Sequence, residues 1–130
     1  MNRWLLEGTV SAGEYLRAVN QVQVISRRIV GFFDKFDALV LPTYMHSPIR
    51  IGEWADLSCE ETLNRIINWI APCPPFNASG QPAISIPASL DGNGLPAGIQ
   101  IVGRPAAEAT IIALAAQIEA AKSFPVLDFS

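Results

Sequence analysis

Hydrolytic chemistry on a small molecule needs a nucleophile, a base within reach of it and donors for the developing oxyanion. In this sequence the residue types that could supply those roles are scattered. His46 is the single histidine, and it follows Pro42 in a stretch with no Ser-Gly elbow beside it. It reads as a loop residue that packs or walls a pocket rather than as a triad base. The two lysines, Lys35 and Lys122, fall at the ends of helical patterns. Lys122 there complements a helix dipole, so neither needs a catalytic explanation. Ser79-Gly80 is a lone dipeptide, and Asn77-Ala78-Ser79 has the form of a glycosylation sequon without a secretory pattern in the first residues. Read residue by residue, the chain shows no catalytic constellation.

Metal and cofactor signals are equally thin. Cys59 and Cys73 form no C-x-x-C pair, and with His46 they would still lack a fourth zinc ligand at a recognisable spacing. Asp91-Gly92-Asn93-Gly94 lacks the remaining calcium ligands and the closing Glu, so it reads as a turn. Glu60-Glu61 suits the first turn of a helix, and no Gly-rich phosphate loop is present. No metal and no cofactor are expected.

The elements that must hold these residues follow from patterning. The chain has 130 residues, half of them apolar, with mean hydropathy +0.28 and only 16% charged. That is enough for one packed core, with fewer charges than the usual quarter. A net charge of −3 gives no basic footprint for nucleic acid or anionic lipid. No apolar stretch reaches transmembrane length, and Trp4-Leu5-Leu6 is too short for a signal sequence. A reducing cytoplasmic setting is expected.

Ser11 and Glu14 have the spacing of a capping box and predict a helix of about seven turns. Its apolar stripe runs through Tyr15, Leu16, Val19, Val22, Ile25, Ile29, Val30, Phe33 and Phe36. Ala38-Leu39-Val40-Leu41 reads as a buried strand that wants neighbours on both sides. Thr43 to Leu57 is an aperiodic loop. Ser58 and Glu61 repeat the capping box for a short helix that Pro72 stops. The proline-rich stretch from Ala71 to Pro82 predicts a stiff, extended connector. Strands are expected at Ala83–Ile86 and Gly98–Val102 with a hairpin-like turn between them. A last helix is expected to open near Pro105 and to stop by Pro125. The fold class is therefore α/β: about three strands in a partial mixed sheet flanked by three helices.

Two stretches carry a resemblance: Pro75-Phe76-Asn77-Ala78-Ser79-Gly80-Gln81-Pro82-Ala83-Ile84-Ser85-Ile86-Pro87-Ala88, and Gly94-Leu95-Pro96-Ala97-Gly98-Ile99-Gln100-Ile101-Val102-Gly103-Arg104. In order and spacing they resemble the C-terminal region of the amidase signature family. Asp37-Ala38-Leu39-Val40-Leu41-Pro42-Thr43 and Glu108-Ala109-Thr110 also fit, so the resemblance covers most of the chain from about Ser11 to Ala121. It implies part of the amidase signature fold and hydrolysis of carboxylic amides by acyl transfer through a serine. In that family the nucleophilic Ser, a second Ser in a cis peptide and a Lys lie near a Gly/Ser-rich signature in the N-terminal half. No such run occurs here, and neither Lys35 nor Lys122 matches the catalytic position.

The resemblance implies that residues 1–130 are a C-terminal segment of an amidase, inactive alone. No residue is expected to be catalytic. Thr43, His46, Trp54, Phe76 and Asn77 are the candidates for lining a substrate pocket, because they flank strand ends where α/β folds build ligand crevices. Gly80, Gly98 and Gly103 are explained by backbone geometry or close packing. The expected partners are a small-molecule amide, once the N-terminal part is supplied, and a second copy through exposed apolar surface; nucleic acid and membrane are not expected. The alternative is a free-standing, non-catalytic binding domain derived from the same fold.

Overall fold

The computed structural model describes residues 10–124. Trp4-Leu5-Leu6 and Pro125 lie outside the described residues. Helix α1 (Ala12–Phe32) opens on the expected box: the Glu14 backbone N–H donates to Ser11 Oγ at 3.2 Å, and the Ser11 N–H donates back to Glu14 Oε2 at 2.9 Å. The helix is 21 residues long, about six turns rather than seven, because the chain leaves it at Phe33. Helix α2 (Cys59–Trp69) begins the same way on Ser58 and Glu61.

Strand β1 (Ala38–Pro42) follows α1, and β2 (Ala83–Leu90) and β3 (Pro96–Gly103) form a hairpin. At its tip Asp91 Oδ1 accepts the N–H groups of Asn93 and Leu95 at 2.8 and 2.9 Å, and Gly94 takes φ +77°. This is the expected turn. The sheet order is β1-β3-β2 and every pairing is antiparallel, which corrects the mixed sheet expected from the α/β pattern. The reason is the hairpin: β3 returns directly along β2 and leaves its other side to β1. The two-sided strand β1 accordingly stands at an edge, with Val40 half-exposed, instead of between two neighbours.

Two further corrections concern helices. The connector from Ala71 is not extended throughout, since Pro74–Ser79 forms a short helix, α3. Prolines 74 and 75 occupy its first positions, where no backbone N–H is needed, and Gly80 closes it at φ +69°. The last helix, α4 (Glu108–Ala121), starts after a turn holding Pro105, in which the Ala107 N–H donates to the Arg104 carbonyl. The described residues thus hold four helices rather than three.

Alternation along β3 divides the core. Ile101 faces α4, where it joins Ile86, Ile111 and Ala115; Val102 faces the opposite side with Phe33 and Phe76. Ile101 and Val102 are both fully buried. On the second side the Ser26 hydroxyl of α1 lies 3.0 Å from the Ala78 carbonyl of α3, and Gln81 donates to the Gly103 carbonyl at 2.7 Å. The apolar stripe of α1 is only partly used. Ile29 and Phe33 pack, whereas Tyr15, Leu16, Val22 and Ile25 are exposed.

Gly103 sits where β3 meets α4: a Cβ there would lie 2.8 Å from Ile111 Cγ2. Gly103→Ala should lower stability in urea unfolding by about 1–3 kcal/mol through overpacking. Gly31→Ala, in a helix with open space around that position, should be neutral or slightly stabilising. The Ser11 and Ser58 hydroxyls, followed by the backbone N–H groups of the same residues, hold the Glu14 and Glu61 carboxyls below their ordinary value of 4.5. A lowered native value stabilises the fold above the ordinary carboxylate range and loses that contribution as pH falls through the lowered value. Helix content followed by circular dichroism should therefore decline on acidification below about pH 4.5 in the wild type, with Glu14→Gln/Glu61→Gln flattening that limb.

Candidate pocket on the sheet and its loop

The floor of the candidate site is one face of the sheet. Thr43 continues β1, its N–H donating to the Gly98 carbonyl at 3.1 Å, and its hydroxyl lies 2.8 Å from Ser85 Oγ on β2. Two outer strands can bring hydroxyls together across the central one because Gly98 has no side chain: a Cβ there would lie 3.1 Å from Thr43 Oγ1 and 3.8 Å from Ser85 Oγ. Next to this floor, on the same face, Gln100 is buried and donates to the Pro72 carbonyl at 3.1 Å, and the Cys73 thiol donates to the Thr43 carbonyl at 3.4 Å.

The wall is the loop after β1, held on α2 by aromatic rings. Trp69 is the centre. Tyr44 stacks on it at 4.8 Å, His46 at 5.6 Å and nearly parallel, and Trp54 meets it edge-on at 6.1 Å. The Trp69 indole N–H donates to the His46 carbonyl at 2.9 Å, while the Met45 N–H donates to the Trp69 carbonyl at 3.0 Å. An amphipathic ring with a single donor suits this role: its body packs and its N–H fixes the chain. Ser47 donates to Asp91 in the hairpin turn, so the loop is tied to the sheet as well as to α2. That hydroxyl, followed by the Leu95 and Asn93 N–H groups, keeps the Asp91 carboxyl below its ordinary value.

Two cavities result. One, of about 530 Å³, lies over the floor and is lined by Thr43, Tyr44, Met45, His46, Ser85 and Gly98 among others. The other, of about 300 Å³, lies between loop and helix, with His46, Glu53, Trp54, Arg65 and Asn68 on its walls. His46, Ser47 and Pro48 border both.

Of the five residues singled out from sequence, Thr43, His46 and Trp54 come together at these cavities. Phe76 does not: it is buried with Phe33 and Val102. Asn77 lies exposed on α3 and lines neither cavity. Tyr44, Trp69 and Ser85 were not singled out. Ser85 is the polar position of an alternating strand, and Trp69 closes an amphipathic helix; both signals were present but indistinguishable from ordinary packing. No described serine hydroxyl bonds an imidazole or an amine: Ser85 pairs with Thr43, Ser79 with Gln81 and the Phe76 carbonyl, and His46 Nδ1 meets only the backbone carbonyl of Ser47. Among the described residues no cluster of three or more His, Cys, Asp or Glu is placed to hold a metal ion.

The family model described as Amidase matches residues 1–112. The chain belongs to the amidase family. A Synechocystis sp. relative bearing an amidase name is 55% identical over 119 residues, covering 92% of this chain and 24% of its own. The Mycobacterium tuberculosis relative named AmiB2 is 42% identical over 99 residues, covering 76% and 21%. Among solved structures, a 6-aminohexanoate cyclic dimer hydrolase superposes with TM-score 0.80 at 29% identity over 88% of this chain and 26% of that one. A bacterial aryl acylamidase of the amidase signature enzymes gives 0.74 at 29% identity, over 90% and 24%. This amidase-family chain therefore spans about a quarter of the length of the relatives it matches. Its α/β fold of three strands agrees with theirs.

Trp69 is the residue on which this wall depends. Trp69→Phe, which keeps a ring and loses the bond to His46, should cost about 1 kcal/mol. Trp69→Ala should also free the loop. Limited proteolysis should then cut within 46–57 markedly faster in the Ala variant than in wild type, with Phe between.

Proposed function

We propose that this chain is the C-terminal part of an amidase, contributing sheet and pocket walls to an amide-hydrolysing site whose nucleophile is supplied by the rest of the enzyme. The observation that carries this reading is the stripe on α1. Tyr15 and Leu16 are each 64% exposed and Ile25 52%, on a helix that is well capped and anchored at its C-terminal end. A contiguous apolar face of this kind belongs against another protein surface. The share of the relatives' length outside this chain supplies a candidate for that surface.

Within the whole enzyme, the Thr43–Ser85 floor and the loop carrying His46 and Trp54 would shape the space around the scissile amide. Phe76 would act from farther along the same face of the sheet, by fixing α3 and the adjoining Cys73, and Asn77 is placed on the same short helix. The substrate is a small carboxylic amide. No helix among the described residues is long and apolar enough to cross a membrane, and the cytoplasm is the proposed setting.

The test is hydrolysis of simple aryl and alkyl amides by the purified chain, with and without the preceding amidase segment expressed as a separate polypeptide. The chain alone should give no turnover and should self-associate in light scattering, with strong binding of a hydrophobic dye; the second polypeptide should restore hydrolysis and suppress both. Turnover by the chain alone that disappears on replacing one of its own serines would overturn the proposal.

A further inference from the structure

His46 is held more firmly than an exposed loop histidine requires. Its ring is parallel to Trp69, at 16° and 5.6 Å, and its backbone carbonyl accepts the same indole's N–H at 2.9 Å. One tryptophan therefore fixes both the ring plane and the main chain of this residue. Its Nδ1 lies 2.8 Å from the Ser47 carbonyl. A carbonyl only accepts, so Nδ1 carries the proton, and in the neutral ring Nε2 is left with its lone pair. The accepting carbonyl is itself steadied, because the Ser47 hydroxyl is bound to Asp91 in the β2–β3 turn. Tautomer, ring plane and supporting backbone are thus all determined by contacts within the chain. No described residue donates to Nε2, while His46 borders both cavities.

We infer that His46 is a specificity-determining residue, a preset hydrogen-bond acceptor that selects amides carrying a neutral O–H or N–H donor on a flat substituent. This rests on the amidase reading above for the word amide, and deepens it by naming the feature recognised. Preorganisation is what gives the acceptor its value: a ring already clamped loses little freedom when a donor arrives. The neighbouring Tyr44 and Trp54 rings offer a planar substituent stacking or edge contacts. Cavities of about 300 and 530 Å³ are adequate for a small aromatic group. His46 is not a catalytic residue here; it binds and orients.

The discriminating probe pair is 4-hydroxyacetanilide, which donates, and 4-methoxyacetanilide, which has the same ring and only accepts. Binding of each to the chain is followed in mildly alkaline buffer by ligand-observed NMR. The wild type should prefer the hydroxyl probe about fivefold, the worth of one neutral hydrogen bond. His46→Phe, which keeps the stacking on Trp69, should bring the ratio to about one, and His46→Gln, which restores an acceptor, should recover part of it. Both substitutions are at an exposed position, so the fold is not at risk. Equal binding of the two probes by wild type, or a ratio unmoved by His46→Phe, would overturn the inference. Because binding is read on the chain itself, that result stands apart from the hydrolysis test: failed reconstitution with an intact ratio would remove the amidase role and leave the acceptor.

Discussion

Strand β3 is the member that joins the sheet to the packing on both of its faces. It pairs on both edges, with β1 and β2, and it is buried on both faces, Ile101 against α4 and Val102 against Phe33 and Phe76. Burying two branched side chains back to back on one strand stabilises by roughly 1.5–3 kcal/mol for each of them. It also fixes register, since a slip by one residue would exchange the two faces. Gly103 lets α4 close on the strand at one end, and Gly98 lets the Thr43 and Ser85 hydroxyls meet across it at the other. The pocket floor and the core are therefore two consequences of one strand.

From that strand the site is assembled outward through short, local ties. The hairpin turn holds Asp91, Asp91 holds Ser47, and Ser47 lies beside His46 in the loop that Trp69 clamps to α2. At the other end Arg104 reaches back over the α1–β1 turn, to Asp37 at 3.2 Å and the Phe36 carbonyl at 3.3 Å. That exposed pair contributes little energy. Its use is positional, keeping the strand that leads into Thr43 against β3.

Local chemistry made much of this legible in advance. Both capping boxes form where Ser11/Glu14 and Ser58/Glu61 place them, and the Asp91–Gly94 turn closes the hairpin. What could not be read was anything decided by tertiary partners. Val40 has the composition of a central strand residue, yet it stands at an edge in this chain. Pro74 and Pro75 look like an extended segment, and become a helix because both fall in its first turn, with Gly80 free to close it. Phe76 reads equally well as wall or core, and only the position of Phe33 decides between them. The Trp69 cluster was invisible for the same reason, as three of its rings come from the loop after β1 and only their folding back onto α2 brings them to Trp69.

The central claim is that α1 presents a face made for another part of an amidase. Hydrogen exchange along α1 tests this most directly, comparing the chain alone with the chain mixed with the preceding amidase segment. The account predicts that amides from Tyr15 to Ile25 exchange much faster than those of Ile101 and Val102 in the chain alone under dilute, monomeric conditions. They should become as protected as the central strand once the segment is added. Amides of α1 already as protected as β3 in the monomer, and unchanged by the segment, would contradict it.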